Sequence, residues 1–408
     1  MKKIIVFIVF LCFANSVIGQ NQQELTGLVL DEENKAIPFA NILLPSQSIG
    51  TITNNDGDFV LKAGAEIKLD TLVISCIGFE TLKLDLTELD LKEKLTLQLK
   101  QSTTELEEVV VSPRKPTELI LEAWTKIPQN YKNDPMMMKG FYRETIQLDQ
   151  KLISLSEAVI SIYKTPYQDR QQIDQMKLLK GRKSKDVAES NILDNMSISG
   201  GLNVDFVKYG LHSLIPGNFQ YYDFKIENLL IDGDNAIYVI SFDQKDEVKL
   251  PLLKGKVYLD AESLAFTAVN YGYSPKGLQY ANIPDKRRKK AARKLGYSVK
   301  TVSANTQVNF IKKDNYWYLQ SGISTFRGKI VHKRKQEESI SYRANLVITE
   351  HSNENVVSIP KEEQLVTFGI DLGKQIGADY DQDFWKEYNY TLPNEALKKL
   401  SKSLLYQQ

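Results

Sequence analysis

Histidine, cysteine and tryptophan are scarce, at three, two and three residues in a chain of 408. The histidines, His212, His332 and His351, form no HExxH, which excludes the usual zinc-peptidase helix. His351 and Glu354 fit HxxE within "HSNE", but no second histidine lies close by, and a zinc site needs at least three protein ligands. Neither a GxSxG nucleophile elbow nor a GxxxxGK[ST] phosphate loop occurs. Carboxylates are plentiful, so a glycosidase-type pair stays open, yet nothing selects one pair over another. The expectation is a chain that is no enzyme and carries no metal and no cofactor.

Long apolar runs are also missing. Residues 4–13 form the longest, too short for a membrane-spanning helix. Lys2 and Lys3 precede it, and small or polar residues follow up to Gly19. That is the layout of a secretory signal peptide over residues 1–19. Cys12 opens a rival reading, a lipid-modified cysteine, against which stand the bulky Phe10 and Leu11. Without the signal, 50 basic residues face 51 acidic ones, so bulk charge gives no reason to expect a nucleic-acid partner. Cys76 would then be the lone cysteine, in an apolar strand pattern that reads as a buried thiol with no internal disulfide. The expectation is an exported protein of the periplasm or the outer-membrane periphery, with no transmembrane segment after cleavage.

Residues 24–100 read as short strands, at 25–30, 39–44, 51–53, 59–62, 72–76, 82–86 and 95–99, separated by Gly, Asn and Asp turns. Such spacing predicts an all-β sandwich. Within it, "GTITNNDGDFVL" packs Asn and Asp into residues 54–58 around Gly57 and looks like a calcium loop. With Gly57 at position 6 of an EF-hand, positions 1 and 12 fall on Ile52 and Ala63, neither of which supplies a side-chain ligand. Asp56-Gly57 is instead a tight-turn pair.

"GLVLDEENKAIPFANILL", "GTITNNDGDFVL" and "LVISCIGFET" come in the order seen in carboxypeptidase-regulatory-like domains, which resemble small transthyretin-like β-sandwiches. The resemblance covers about residues 24–99 and implies an accessory module, not peptidase activity. "LEEVVVSP", 106–113, resembles the strand that leads from such a domain into the plug of TonB-dependent receptors. Its plainer reading is an apolar strand, and too few residues follow for a plug and a large barrel. Residues 101–116 are read as a linker.

From 117 to 355 the pattern changes. Thr117 looks like a helix N-cap, and Leu119, Ile120, Ala123, Trp124 and Ile127 recur at helical spacing until Pro128. Long strands follow at 139–148, 152–163, 221–231, 236–242, 253–259, 264–273, 299–311, 316–331 and 340–348. Residues 253–259 alternate apolar and polar throughout, a strand with one wet face. Residues 168–199 are polar and read as an insertion with at most a short helix. The fold class is mainly β: a sandwich, then a larger antiparallel sheet or half-barrel with a helix against it. "GKVYLDAESLAFTAVNYGYS" resembles, in pattern only, periplasmic lipoprotein-carrier half-barrels. That resemblance implies a concave apolar face that would hold an acyl chain. The alternative is a face filled by the protein's own helix. In the tail, 356–408, Phe384, Trp385 and Tyr388 are expected to dock on the sheet, and Asn394 to cap a last helix.

"KRRKKAARK" carries Lys286, Arg287, Arg288, Lys289, Lys290, Arg293 and Lys294. It is a candidate surface for anionic headgroups or an acidic partner, or simply a solvated helix. The functional expectation is an envelope protein holding a lipid-like ligand. The alternative is a structural or assembly partner of outer-membrane proteins making protein contacts only.

Overall fold

The computed structural model describes residues 23–104, 114–185, 202–232, 235–283, 286–332, 336–366, 375–376, 385 and 388–405. The signal peptide, the strand at 106–113 and Phe384 lie outside these residues.

The first unit has two layers. Strands β1 (Gln23–Leu30), β4 (Asp58–Ala63) and β7 (Leu95–Gln98) form one sheet in the order β4-β1-β7. Strands β2 (Asn41–Leu44), β3 (Ile49–Ile52), β5 (Thr71–Ser75) and β6 (Leu82–Asp85) form the second, in the order β6-β5-β2-β3. Leu25, Val29, Ile42, Phe59, Leu61 and Ile74 fill the space between them. The Asn54–Asp58 stretch is a turn held by its own side chain: Asn54 Oδ1 accepts from the N–H groups of Asp56 at 2.8 Å and Asp58 at 3.0 Å. Gly57 takes φ +82°, and a Cβ there would lie 2.6 Å from the Val29 carbonyl, so glycine is required.

After β8 (Thr103–Thr104) come helices α1 (Pro116–Thr125) and α2 (Ile127–Asn130). The N-cap of α1 is Lys115, not Thr117, and Pro116 occupies the first turn, where its missing N–H costs nothing. The Lys115 N–H is instead taken by Glu118 Oε2 at 3.3 Å. Pro128 does not end the helical path; it opens the short α2.

Strands β9 (Met136–Leu148), β10 (Lys151–Lys164) and β11 (Gln175–Lys185) follow, then helix α3 (Phe206–Tyr209). Next come β12 (Tyr222–Asp232), β13 (Asn235–Gln244), β14 (Leu253–Asp260) and β15 (Phe266–Tyr273). Helices α4 (Pro275–Ala281) and α5 (Lys286–Leu295) precede β16 (Tyr297–Lys313), β17 (Tyr316–His332) and β18 (Glu338–Ser352), and α6 (Glu395–Leu405) ends the described chain. Strand β11 departs from the polar insertion expected at 168–199. Its Met176 is buried, and it pairs with β10 from Tyr163↔Gln175 to Ser154↔Lys185. The remainder of that insertion, 186–199, lies outside the described residues.

Together these strands make a mainly β protein whose large sheet is a curled, eleven-strand half-barrel. Its order is β11-β10-β9-β18-β17-β16-β15-β14-β13-β12-β8. Period-two alternation gives each strand two faces. One face carries the main core. Leu119, Ile120 and Ala123 of α1, Tyr131, and Phe206 and Leu214 of the segment after β11 pack onto Tyr142, Ile160, Phe266, Phe310 and Leu346. Trp124 is an anchor in this core: its Nε1 donates to the Leu214 carbonyl at 2.6 Å, and its ring lies 4.9 Å from Phe266. Segment and sheet approach so closely that a Cβ on Gly322 would lie 2.2 Å from Val204.

The opposite face is covered in patches. The first unit stands on it at two places. Ile77 joins Val239, Tyr258 and Ala268, while Ile52 and Phe39 join Ile323 and Val347. A single pair, Glu350↔Ile49, carries strand pairing across from β18 to β3. The tail covers a third patch. Trp385 is 4% exposed and meets Phe141 edge-on at 5.4 Å, and Asn389 exchanges two hydrogen bonds with the Lys62 backbone. Asn394 Oδ1 accepts from the Leu397 N–H and caps α6.

Two ion clusters are buried with the strands. Lys164 lies 2.7 Å from both Asp174 and Asp205, all three at most 6% exposed. Burial works to lower the Lys164 ammonium, and the two carboxylates outweigh it, holding lysine above its ordinary value. Glu157 takes Arg143 Nε at 2.5 Å and Arg182 Nε at 2.7 Å. Breaking such a cluster strands its remaining charges away from water. Lys164→Met is therefore expected to cost about 3–5 kcal/mol, read as a lowered urea midpoint in equilibrium unfolding of the full chain.

Candidate binding site

The face opposite the main core presents two concavities that meet at Phe39 and Arg343. The larger is a groove of about 770 Å³. Strand register builds its floor in two rows. One runs Lys225, Ser241, Lys256, Asn270, Gln307, Ile323, and the other Lys254, Gly272, Asn305, Thr325, Arg343. Seven strands at ~4.8 Å spacing make the groove roughly 30 Å long. Its lining mixes amides, hydroxyls and lysines with the carboxylates Asp223, Glu227 and Asp243 and the apolar or aromatic Phe39, Phe224, Phe242, Tyr271 and Ile323. Lys256 is paired with Glu227 at 2.6 Å, whereas Lys225 and Lys254 form no ion pair among the described residues.

The smaller concavity is a cavity of about 200 Å³. Three parts of the chain close it: Asn54 and Asn55 of the first unit, Arg143, Thr145, Arg343 and Asn345 of β9 and β18, and Thr391, Asn394 and Leu397 of the tail. Phe39 forms the wall shared with the groove. It holds φ at +61°, a region that bulky residues seldom occupy. Hydrogen bonds fix it there, from its own N–H to the Thr53 carbonyl at 3.2 Å and from the Ala40 N–H to Thr53 Oγ1 at 2.9 Å.

Arg343 lies 5.0 Å from the centre of the Phe39 ring. Its Nε donates to Asn345 Oδ1 at 3.2 Å and its Nη2 to Asn55 Oδ1 at 3.3 Å. No acidic side chain pairs with it among the described residues. Burial, and then the neighbouring Arg143, pull its guanidinium below the ordinary arginine value.

The residues singled out from sequence fall elsewhere. Lys286, Arg287, Arg288, Lys289, Lys290, Arg293 and Lys294 all lie on α5, which packs against β16. The side chains of Lys286, Lys289, Lys290, Arg293 and Lys294 are exposed. His351 and Glu354 do not meet: His351 faces the Leu319 carbonyl through Nε2 at 3.3 Å, and Glu354 is exposed. Cys76 is half-buried rather than fully buried, and burial pushes its thiol up to about 11. Arg343 and Phe39 were not singled out by sequence reasoning. They meet Asn55, Arg143 and Thr391 only through the tertiary fold, and no local spacing announces that.

Comparison with known proteins bears on the first unit. Residues 25–111 match the model of the CarboxypepD_reg-like domain. The match takes in both layers of the first unit and β8, the end strand of the large sheet, and stops before α1. The comparison with curated proteins found no match. Among solved structures, a DUF1329 family protein from Desulfovibrio piger ATCC 29098 is similar at 10% identity, over 60% of this chain and 96% of that one, with a TM-score of 0.26. A score that low carries no argument about fold or ligand. No helix among the described residues is long and apolar enough to cross a membrane.

One pH dependence follows from the edge of this face. Burial lowers the His351 imidazole to about 4, against 6.5 ordinarily. A depressed folded-state value gives stability that is complete above pH 6.5 and is lost as pH falls toward 4. At about 1.4 kcal/mol per unit, the loss is on the order of 3 kcal/mol. Unfolding midpoints measured from pH 7 to pH 4 are expected to fall more steeply for the natural chain than for His351→Gln.

Proposed function

We propose that this chain is a non-enzymatic binding protein of the cell envelope, and that it holds a polar polypeptide segment rather than an acyl chain. The observation that carries this reading is the contrast between the two faces of the large sheet. The core-bearing face is occupied by the chain's own helix and loop side chains. The other face offers a long groove rich in amides, hydroxyls and charged groups, in which Lys225 and Lys254 form no ion pair among the described residues. Of the two expectations from sequence, protein contacts at the outer membrane therefore gain support over a lipid-like ligand.

The match of the first unit to an accessory domain fits a binding role. In this proposal the first unit, 24–100, walls the groove through Phe39, the sheet region, 117–355, supplies its floor, and the tail, 356–408, locks the two together. The basic helix α5 serves as a second, electrostatic contact for anionic headgroups or an acidic partner, which added salt weakens. The compartment proposed is the periplasm or the outer-membrane periphery.

Lysine-directed cross-linking in envelope fractions, combined with native mass spectrometry of protein purified without detergent, tests the proposal. The expected result is cross-linked partner peptides at Lys225, Lys254 and Lys256, with the yield at the retained Lys256 falling roughly tenfold in a Lys225→Glu/Lys254→Glu variant, a change of about 1.4 kcal/mol. A co-purified mass with lipid-like fragmentation would overturn it and restore the carrier reading.

A further inference from the structure

We infer that the small cavity between Phe39, β9, β18 and the tail is an oxyanion site, built to take a carboxylate or phosphate group on Arg343. This goes beyond the groove reading and does not rest on it.

Charge gives the first reason. The cavity lining contains two arginines and no carboxylate. Arg143 is accounted for: its Nε meets Glu157, and its Nη2 donates to the Thr391 carbonyl at 2.8 Å. Arg343 has two neutral amide oxygens at the long end of hydrogen-bond range, and an aromatic face. A half-buried guanidinium left without an anion is costly, and a second guanidinium close by adds to the cost. A bound oxyanion would satisfy the planar fork of Arg343 in two bonds.

A second, independent observation points into the same space. Thr391 is 4% exposed and lines the cavity, and among the described residues its Oγ1 has no hydrogen-bond partner. Buried hydroxyls without partners are uncommon in native structures and call for a missing acceptor or water. A hydroxyl donates readily to a carboxylate oxygen. The amides of Asn55 and Asn345 can rotate to offer N–H groups in place of oxygens. The first turn of α6 also borders the cavity, and its positive end favours an anion. Asp56, which accepts from the Glu395 N–H at 2.8 Å, stands at that helix end but outside the lining.

Size sets the ligand class. About 200 Å³ exceeds what one water fills, since a water takes ~30 Å³ of the liquid. It suits a compact group of a few non-hydrogen atoms, such as a chain-terminal carboxylate with its last residue, a small organic acid, or a phosphate.

The test is thermal unfolding of the full chain at fixed ionic strength, with chloride replaced by acetate, by inorganic phosphate, or by a short peptide with a free or an amidated C-terminus. The expected result is a saturable rise in Tm of about 2 °C or more over chloride, lost in Arg343→Gln and partly kept in Arg343→Lys. A response to acetate and to the free peptide but not the amidated one identifies a carboxylate. A response confined to phosphate identifies a phosphate ligand on the same arginine. Thr391→Val removes only the orphan hydroxyl, so it is expected to fold as the natural chain does and to bind at least ~3-fold more weakly. It keeps the test decisive if Arg343→Gln does not fold. No rise over chloride, or an undiminished rise in both variants, overturns the inference. The Lys225→Glu/Lys254→Glu variant is expected to keep the full anion response, so a failure here leaves the groove proposal standing.

Discussion

A sheet of eleven strands has two faces, and the architecture follows from how each is covered. Buried apolar area stabilises at roughly 25 cal/mol per Å², so a wide apolar face left wet would forgo most of what orders the strands. On one side, α1 and the segment around α3 supply Leu119, Ile120, Phe206 and Leu214 as the cover. On the other, no single element is large enough. The first unit plants Ile77 and Ile52 on two apolar patches, and the tail plants Trp385 on a third. Strand residues between these patches are polar because nothing covers them, and that uncovered strip is the groove.

The ion clusters show what helps to hold a long strand that is poor in apolar side chains. Strand β11 is rich in lysine and arginine, yet it pairs along its whole length with β10. Arg182 stands directly opposite Glu157 in that ladder and bonds to it, and the Lys164–Asp174 contact lies where the two strands part. Charges buried this way are not an efficient source of stability. They do penalise any slip, because a one-residue shift would carry Arg182 to the other face and leave Glu157 with a single partner. Register here rests on electrostatics, where elsewhere in the sheet it rests on apolar alternation.

Most of the sheet was legible in the sequence because period-two alternation is strong where one face packs and the other is wet. Residues 253–259, which alternate throughout, lie within β14 as Leu253–Asp260. Asn394 capping the last helix was legible for a similarly local reason, as was the turn at Asp56-Gly57. Strand β11 was missed because its outward lysines and arginines hide the apolar signal of Met176 and Leu178. The start of α1 was misplaced by two residues because Lys115 is an uncommon N-cap, and Pro116 is the better marker. The cavity was not legible at all. Arg343 and Asn55 are 288 residues apart, and no periodicity reaches that far.

Strand β18 has a further consequence, for the order of folding. It is the last strand among the described residues, yet it sits inside the sheet, between β9 and β17. Strands β9 to β11 can zip up as neighbours, and so can β12 to β17, where only the β15–β16 connection, which carries α4 and α5, is long. The two blocks become one sheet only when β18 inserts and brings Tyr142 and Tyr342, 200 residues apart, within 3.2 Å. Long-range closure of this kind slows folding, because loop entropy is lost before contacts repay it. Until β18 arrives, the β9 edge of the first block stays unpaired while nearly 200 further residues are made, and an open edge of that kind is a template for wrong pairing.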